Sequence, residues 1–299
     1  MTGVICIDKC RGKTSFDVVA AVRRLTGEKK AGHTGTLDPM ATGVLPVMLG
    51  GATRFLDFLP DSDKSYRAVF ELGRTTDTLD DTGSVLTRSK VECSKKDVLA
   101  VSSKFVGEIT QIPPMYSAVS VNGRRLYELA RKGETVERPE RKAVIYNLEI
   151  ISADEENNRY TMDVSCSKGT YIRTLIDDIG RELGCGAVMT ALRRTKAMGL
   201  KEEDSVTVEK LGEICSEENG INGVLIPVEK LLEVYPFVRV TAAQGKRFSN
   251  GGELDGERLP VSIRDCLYRV IDQDGRFLGL GRGDSGQNCL KVARILTVR

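Results

Sequence analysis

The chain has 299 residues, 40% of them hydrophobic and 29% charged, with no tryptophan, which describes a globular protein and excludes collagenous and disordered classes. That length supports a large domain with a smaller companion, and two domains are expected. The net charge of +2 hides a pattern: residues 1–200 hold 30 basic and 26 acidic side chains, 201–233 hold 3 and 9, and 234–299 hold 11 and 7.

In chain order, Val4–Ile7 reads as a short buried strand. The start of the chain lacks the basic opening and long apolar stretch of a signal peptide, so a cytoplasmic protein is expected. No charge-free run approaches the ~20 apolar residues of a spanning helix, and no membrane association is expected. Thr14 or Ser15 can cap a helix whose Val18, Ala21, Val22 and Leu25 keep helical spacing up to Gly27. The glycine-rich segment from Ala31 to Gly51 resists a regular assignment, because its glycines and prolines specify turns and close backbone approach. Tyr66, Ala68, Phe70 and Leu72 alternate with Arg67, Val69 and Glu71, which predicts a strand with one apolar face.

Val98–Phe105 is helical in pattern, and Leu126, Leu129 and Ala130 form a second apolar stripe that Gly133 can end. Val144, Tyr146, Leu148 and Ile150 predict a strand. Tyr160, Met162, Val164 and Cys166 alternate strictly, and Ile172, Leu175, Ile176, Ile179 and Leu183 then take helical spacing. The turn Lys168-Gly169-Thr170 between them brings Tyr171 and Arg173 near the end of that strand. After the acidic connector, β-branched runs at Val238–Thr241, Tyr268–Ile271 and Leu290–Leu296, separated by Gly, Asp and Asn turns, read as a small all-β domain.

The eight cysteines include no C-x-x-C pair, so reduced thiols without a structural metal are expected. Basic pairs at Arg23-Arg24, Lys29-Lys30, Arg124-Arg125, Arg131-Lys132 and Arg193-Arg194 can offset phosphate charge, although charged runs are usually only a solvated face. Gly12-Lys13-Thr14 resembles the end of a P-loop, but Ile7 stands where that loop needs its first glycine. Asp38, in Gly32-His33-Thr34-Gly35-Thr36-Leu37-Asp38-Pro39, sits where glycines let a ligand approach the backbone. Taken alone, an Asp-Pro of this kind is more often a turn residue.

That segment resembles the catalytic motif of the TruB-type tRNA pseudouridine-55 synthases. The resemblance continues in the family's order through Asp61 to Arg67, Arg74-Thr75-Thr76-Asp77-Thr78, Gln111 to Ala118, Ser167 to Arg173, and Leu192-Arg193-Arg194. The C-terminal segment is similar to the small PUA RNA-binding domain. Cys10 departs from the proline usual in the opening motif, and Ser120 from a basic residue common after Tyr-Ser-Ala.

The resemblance implies an α+β pseudouridine synthase fold over residues 1–233, with a largely antiparallel mixed sheet and an insertion at about 111–142 that clasps the T arm. Residues 234–299 would form the PUA-like domain. It implies that Asp38 is the catalytic aspartate, Tyr66 the tyrosine that stacks on the target base, and Arg173 the arginine that pairs with the aspartate. His33 would enter the space the base leaves, Tyr171 and Leu192 would line the pocket, and Lys64 would organise the loop or contact phosphate. Arg124, Arg125, Arg131 and Lys132 would lie on the clasping insertion. The implied reaction converts uridine to pseudouridine in a flipped-out nucleotide of the tRNA T loop. It needs no cofactor, metal or guide RNA, and a monomer suffices. The aspartate would attack C1′, attack C6, or first remove a sugar proton.

Overall fold

The computed structural model describes residues 1–60, 63–117, 119–121, 123–130, 132–218 and 220–297. The chain opens with β1 (Gly3–Lys9), α1 (Ser15–Thr26), β2 (Ala31–His33), β3 (Thr42–Leu49), a 3-10 segment at Gly50–Phe58, β4 (Lys64–Leu72), β5 (Arg74–Thr76) and β6 (Val85–Arg88). It continues through α2 (Lys95–Ser103), β7 (Gly107–Gln111), β8 (Ser120–Val121), β9 (Arg124–Arg125), α3 (Leu126–Ala130), β10 (Arg141–Asp154), β11 (Arg159–Cys166), α4 (Ile172–Glu182), β12 (Ala187–Ala197) and β13 (Leu200–Lys201). Helix α5 (Val208–Ser216) and 3-10 turns lead to β14 (Phe237–Arg239), α6 (Ala242–Ser249), β15 (Leu254–Asp255), β16 (Leu267–Ile271), β17 (Phe277–Asp284) and β18 (Cys289–Ile295).

Nine strands form the central sheet in the order β1-β3-β12-β4-β11-β10-β7, with β2 added to β3 and β13 to β12. Neighbours are antiparallel except β12 and β3, which meet in parallel at Arg193–Thr42 and Arg194–Gly43. Helix α1 starts where Thr14 and Asp17 close a reciprocal capping box, and it stops at Gly27, whose φ of 69° suits glycine. Strands β4 and β11 pair in unbroken register from Glu71–Arg159 to Lys64–Cys166. Their alternating residues Tyr66, Ala68, Phe70, Tyr160, Met162 and Val164 are buried under α4, which contributes Ile172, Leu175, Ile176 and Ile179. Burial of each large apolar side chain stabilises the fold by ~1.5–3 kcal/mol. This packing fixes the start of α4 at the C-terminal end of β11, so a residue on the first helical turn lies close to the end of that inner strand.

Three expectations are corrected. The segment from Ala31 to Gly51 contains two strands rather than only turns, because β3 is covered on both sides and shows a continuous apolar run instead of alternation. Its Pro46 is tolerated because it falls between the residues that pair with β12 (Thr42, Gly43) and those that pair with β2 (Val47 to Leu49). In β10, a register shift between Ile145 and Asn147 changes the phase of the strand, so Ala143 and Ile145 are buried while Tyr146 is 50% exposed. The C-terminal unit is not all β, since α6 begins at a capping box of Thr241 and Gln244.

That unit is a five-stranded sheet in the order β14-β16-β17-β18-β15, built around Val238, Phe248, Val270 and Leu290. A shared apolar cluster joins it to the larger sheet. There the Phe55 and Phe277 rings lie 5.6 Å apart, and the Tyr235 hydroxyl donates to the Phe58 carbonyl at 2.9 Å. Among the described residues no helix is long and apolar enough to cross a membrane.

Candidate active site

Asp38 lies on the loop between β2 and β3, and three side chains from other elements fix that loop through its backbone. Ser15, at the start of α1, accepts from the Leu37 N–H at 2.8 Å and donates to the Leu37 carbonyl at 3.2 Å. Lys9, at the end of β1, is fully buried and donates to the carbonyls of Ala41 (2.6 Å), Cys10 (3.0 Å) and Pro39 (3.3 Å). Burial pushes its pKa down to about 8. Arg194, on β12, is also fully buried and donates to the carbonyls of Val44 (2.7 Å), Gly35 (3.2 Å) and Thr36 (3.4 Å). The approach of β3 to β12 requires glycine at position 43, where φ is 99° and a Cβ would stand 2.3 Å from the Arg194 carbonyl oxygen.

The Asp38 carboxylate meets Arg173, whose Nη2 lies 2.9 Å from Asp38 Oδ2. Arg173 is buried on the first turn of α4, and its remaining donors reach the Tyr116 carbonyl (2.8 Å) and the Thr78 carbonyl (3.0 Å). A second carboxylate, Asp80, stands 3.6 Å from Nη1. Its own position is set by the Thr78 hydroxyl (2.8 Å) and by the Thr82 N–H (3.0 Å) and hydroxyl (2.6 Å). Asp38 keeps 34% of its side chain open, yet protein surrounds it elsewhere, and this desolvation raises its pKa. Arg173 acts in the opposite direction, and Asp80 adds to the rise.

Tyr66 begins the inward face of β4 and is buried; burial raises its pKa, and the nearby Arg194 guanidinium opposes that rise. Tyr171 occupies the N-cap of α4, where Gln111 pins its backbone: the Tyr171 N–H donates to Oε1 at 3.0 Å, and its carbonyl accepts from Nε2 at 3.1 Å. Lys64 is half-buried, and desolvation followed by Arg194 lowers its pKa.

Six of the residues singled out in the sequence, Asp38, Lys64, Tyr66, Tyr171, Arg173 and Leu192, line one cavity of about 240 Å³, together with Ser117, Ile172 and the Gly169-Thr170 turn. His33 does not line it. It ends β2 opposite Val47, half-buried, with Nδ1 unpartnered, and burial lowers its pKa. Arg124 and Arg125 form β9, and Arg124 pairs with Glu134 at 3.4 Å. Lys132 is exposed, and Arg131 lies outside the described residues. The pair Arg193-Arg194 is no free phosphate patch, because Arg193 bridges Asp8 and Glu202 while Arg194 points inward.

Sequence reasoning missed Lys9, Asp80, Ser117 and the inward role of Arg194. Asp80 had a usable signal: it stands two residues beyond the quoted Arg74–Thr78 motif, within a threonine-rich turn that can bind its carboxylate. Chemically, the cavity combines a carboxylate held by a guanidinium, a tyrosine ring and a desolvated lysine. Such a set can bind a flat polar ligand and present one oxygen nucleophile or base to it.

Residues 23–172 match the profile described as "TruB family pseudouridylate synthase (N terminal domain)", and residues 173–233 match "tRNA pseudouridylate synthase B C-terminal domain". A protein of Clostridium kluyveri named tRNA pseudouridine synthase B is 45% identical, over 94% of this chain and 95% of that one. Its namesake in Pseudomonas fluorescens is 43% identical, over 94% and 91%. Among solved structures, the "Crystal Structure of a Cbf5-Nop10-Gar1 Complex" superposes with a TM-score of 0.75 at 28% identity, covering 99% of this chain and 85% of that one. A second, "Structure of H/ACA RNP bound to a substrate RNA containing 2'-deoxyuridine", has a TM-score of 0.74 at 26% identity, covering 99% and 86%. The cavity that gathers Asp38, Tyr66 and Arg173 therefore lies in a pseudouridine synthase fold, and the chain belongs to the TruB family of pseudouridylate synthases, which are isomerases.

Proposed function

We propose that this chain converts uridine 55 in the T loop of tRNA to pseudouridine, acting alone on a flipped-out nucleotide. The observation that carries the reading is the Asp38–Arg173 pair at 2.9 Å, in the same cavity as the Tyr66 ring. The names of the relatives at 43–45% identity support tRNA as substrate.

In the reaction the C1′–N1 bond breaks, the base turns, C1′ bonds to C5, the C5 proton leaves and N1 gains a proton, so the mass of the RNA is unchanged. Asp38 acts as nucleophile or base, with Arg173 holding it ionised against the desolvation that favours its neutral form. Tyr66 stacks on the extruded base, a contact worth ~1–3 kcal/mol, and its hydroxyl assists loss of the C5 proton. Leu192 and Tyr171 bound the pocket, and Lys64 lies at its polar side. Extrusion is required because a stacked base hides the sugar carbons that the carboxylate must reach.

In the same reading residues 1–233 are the catalytic domain, and the insertion at about 111–142 clasps the T arm through Arg124, Arg125, Arg131 and Lys132. His33 occupies the space left by the base, and residues 234–299 serve as a PUA-like RNA-binding unit. The protein works as a cytoplasmic monomer without cofactor, metal or guide RNA. Incubating the purified protein alone with unmodified tRNA and mapping pseudouridine tests this. Modification confined to position 55 is expected; a requirement for an added RNA, or release of free uracil seen by mass spectrometry, would overturn it.

A further inference from the structure

The longer α-helices begin at a side chain that caps them, with one exception. Thr14, Ser94, Thr207 and Thr241 accept from the first turns of α1, α2, α5 and α6. In α1, α2 and α6 a capping box is completed by Asp17, Asp97 or Gln244, which reaches back to the N-cap N–H. Helix α4, which carries the partner of Asp38, is the exception. Its N-cap is Tyr171, which makes no side-chain cap, and the residue in the reach-back position, Thr174, has an unpartnered hydroxyl.

Gln111 supplies the missing contact from another element. It closes β7 in register with Arg141, where the chain leaves the central sheet, and it is 2% exposed. Its Oε1 accepts from the Tyr171 N–H at 3.0 Å, as a capping-box residue would, and its Nε2 donates to the Tyr171 carbonyl at 3.1 Å. That carbonyl also accepts from the Leu175 N–H at 3.0 Å, the bond that starts the helix. One buried amide therefore holds the peptide groups on both sides of the Tyr171 Cα, two residues before Arg173. Tyr171 lines the cavity, and Arg173 Nη2 meets Asp38 there at 2.9 Å. A serine or aspartate at position 171 would cap the helix locally but leave the cavity without its tyrosine.

We infer that Gln111 is a positioning residue of the reaction: by holding the Tyr171 backbone from the root of the insertion, it fixes where Tyr171 bounds the cavity and where Arg173 meets Asp38. The inference rests on reading Asp38 as the reacting carboxylate.

The test compares wild type, Gln111→Met and Gln111→Glu on unmodified full-length tRNA, by single-turnover rates at saturating enzyme, tRNA dissociation constants and thermal melts, from about pH 8 to about pH 5.5. Gln111→Met keeps the length of the side chain but neither hydrogen bond. It is expected to slow the reaction at least about tenfold while tRNA affinity changes less than about threefold, since a misplacement of about 1 Å costs up to ~10²-fold in rate. Gln111→Glu loses the donor when ionised and, because burial favours its neutral form, regains an O–H donor beside its carbonyl acceptor on acidification. Its rate divided by that of wild type at the same pH should therefore rise at least about fivefold as the pH falls, the scale of one hydrogen bond, while the Gln111→Met ratio stays flat. A folded Gln111→Met within twofold of the wild-type rate, a loss of affinity as large as its loss of rate, or a Gln111→Glu ratio that does not rise overturns the inference. Where Gln111→Met fails to fold, the Gln111→Glu ratio decides alone. Asp38→Asn run in parallel separates the two ideas: full activity in that variant defeats the reading of Asp38, whereas an inactive Asp38→Asn beside an unimpaired Gln111→Met defeats only the assignment of Gln111.

Discussion

Arg194 and Tyr66 are register partners across the β12–β4 ladder, so the buried guanidinium that grips the Asp38 loop also stands beside the phenol of the pocket. One residue thereby sets the relative position of the carboxylate and the stacking ring. Lysine keeps the charge but has one donor atom, whereas Arg194 reaches Val44, Thr36 and Gly35 from three separate nitrogens of its planar guanidinium. Arg194→Lys is expected to lower kcat at least tenfold with a smaller change in KM. Arg194→Met should destabilise the fold by about 3 kcal/mol in denaturant titration, because the carbonyls of Val44, Gly35 and Thr36 lose a charged donor.

Arg173 stands between two carboxylates and has little contact with water. Its removal leaves Asp38 and Asp80 facing each other without a counter-charge. Arg173→Met is expected to cost ~3–5 kcal/mol in stability and to abolish turnover. Adding Asp80→Asn should recover part of the lost stability without recovering activity, and unfolding curves of the single and double variants check this.

Asp38 has its pKa raised by burial, and this has opposite consequences for activity and for stability. Turnover that needs the ionised form should fall on acidification with a midpoint above the ordinary aspartate value of about 3.9. For stability, a folded pKa above the unfolded one gives a contribution fully present below the unfolded pKa and lost as pH rises through the folded pKa. Asp38→Asn should therefore be at least as stable as wild type at pH 7.5, with any advantage vanishing below about pH 4. Thermal melts across that range measure it, and a variant clearly less stable at pH 7.5 would contradict the assignment.

Lys9 carries the complementary signature. Its pKa is lowered to about 8, so between there and the unfolded value of about 10.4 the unfolded chain binds more protons than the native one. The contribution of Lys9 to stability should rise with pH across that window. Wild type minus Lys9→Met, followed by denaturant midpoints from pH 7.5 to 10, is expected to show this rise; a flat difference would contradict it.

What could be read beforehand depended on how directly side-chain type reports environment. Helix α1 was legible from Thr14, its valine spacing and Gly27, and strands β4 and β11 from strict alternation, since their opposite faces meet different surroundings. Strand β3 was not, because a strand covered on both sides loses its alternation, and its Gly43 and Pro46 look like turn chemistry. The phase of β10 depends on a bulge that no local pattern announces. Asp38, Tyr66 and Arg173 were legible only through resemblance, since Asp-Pro alone reads as a turn. Lys9 and Arg194 escaped because a cationic side chain is ordinarily a surface residue. Their burial depends on backbone carbonyls that the tertiary fold brings together.

The central claim is that Asp38 carries the rearrangement, and tritium release from C5 of tRNA labelled with 5-tritiated uridine tests it most directly. Wild type should release tritium from one uridine per tRNA without change in RNA mass, and Asp38→Asn should release it at least ~10³-fold more slowly while still binding the tRNA. Equal release by the two proteins would contradict the account.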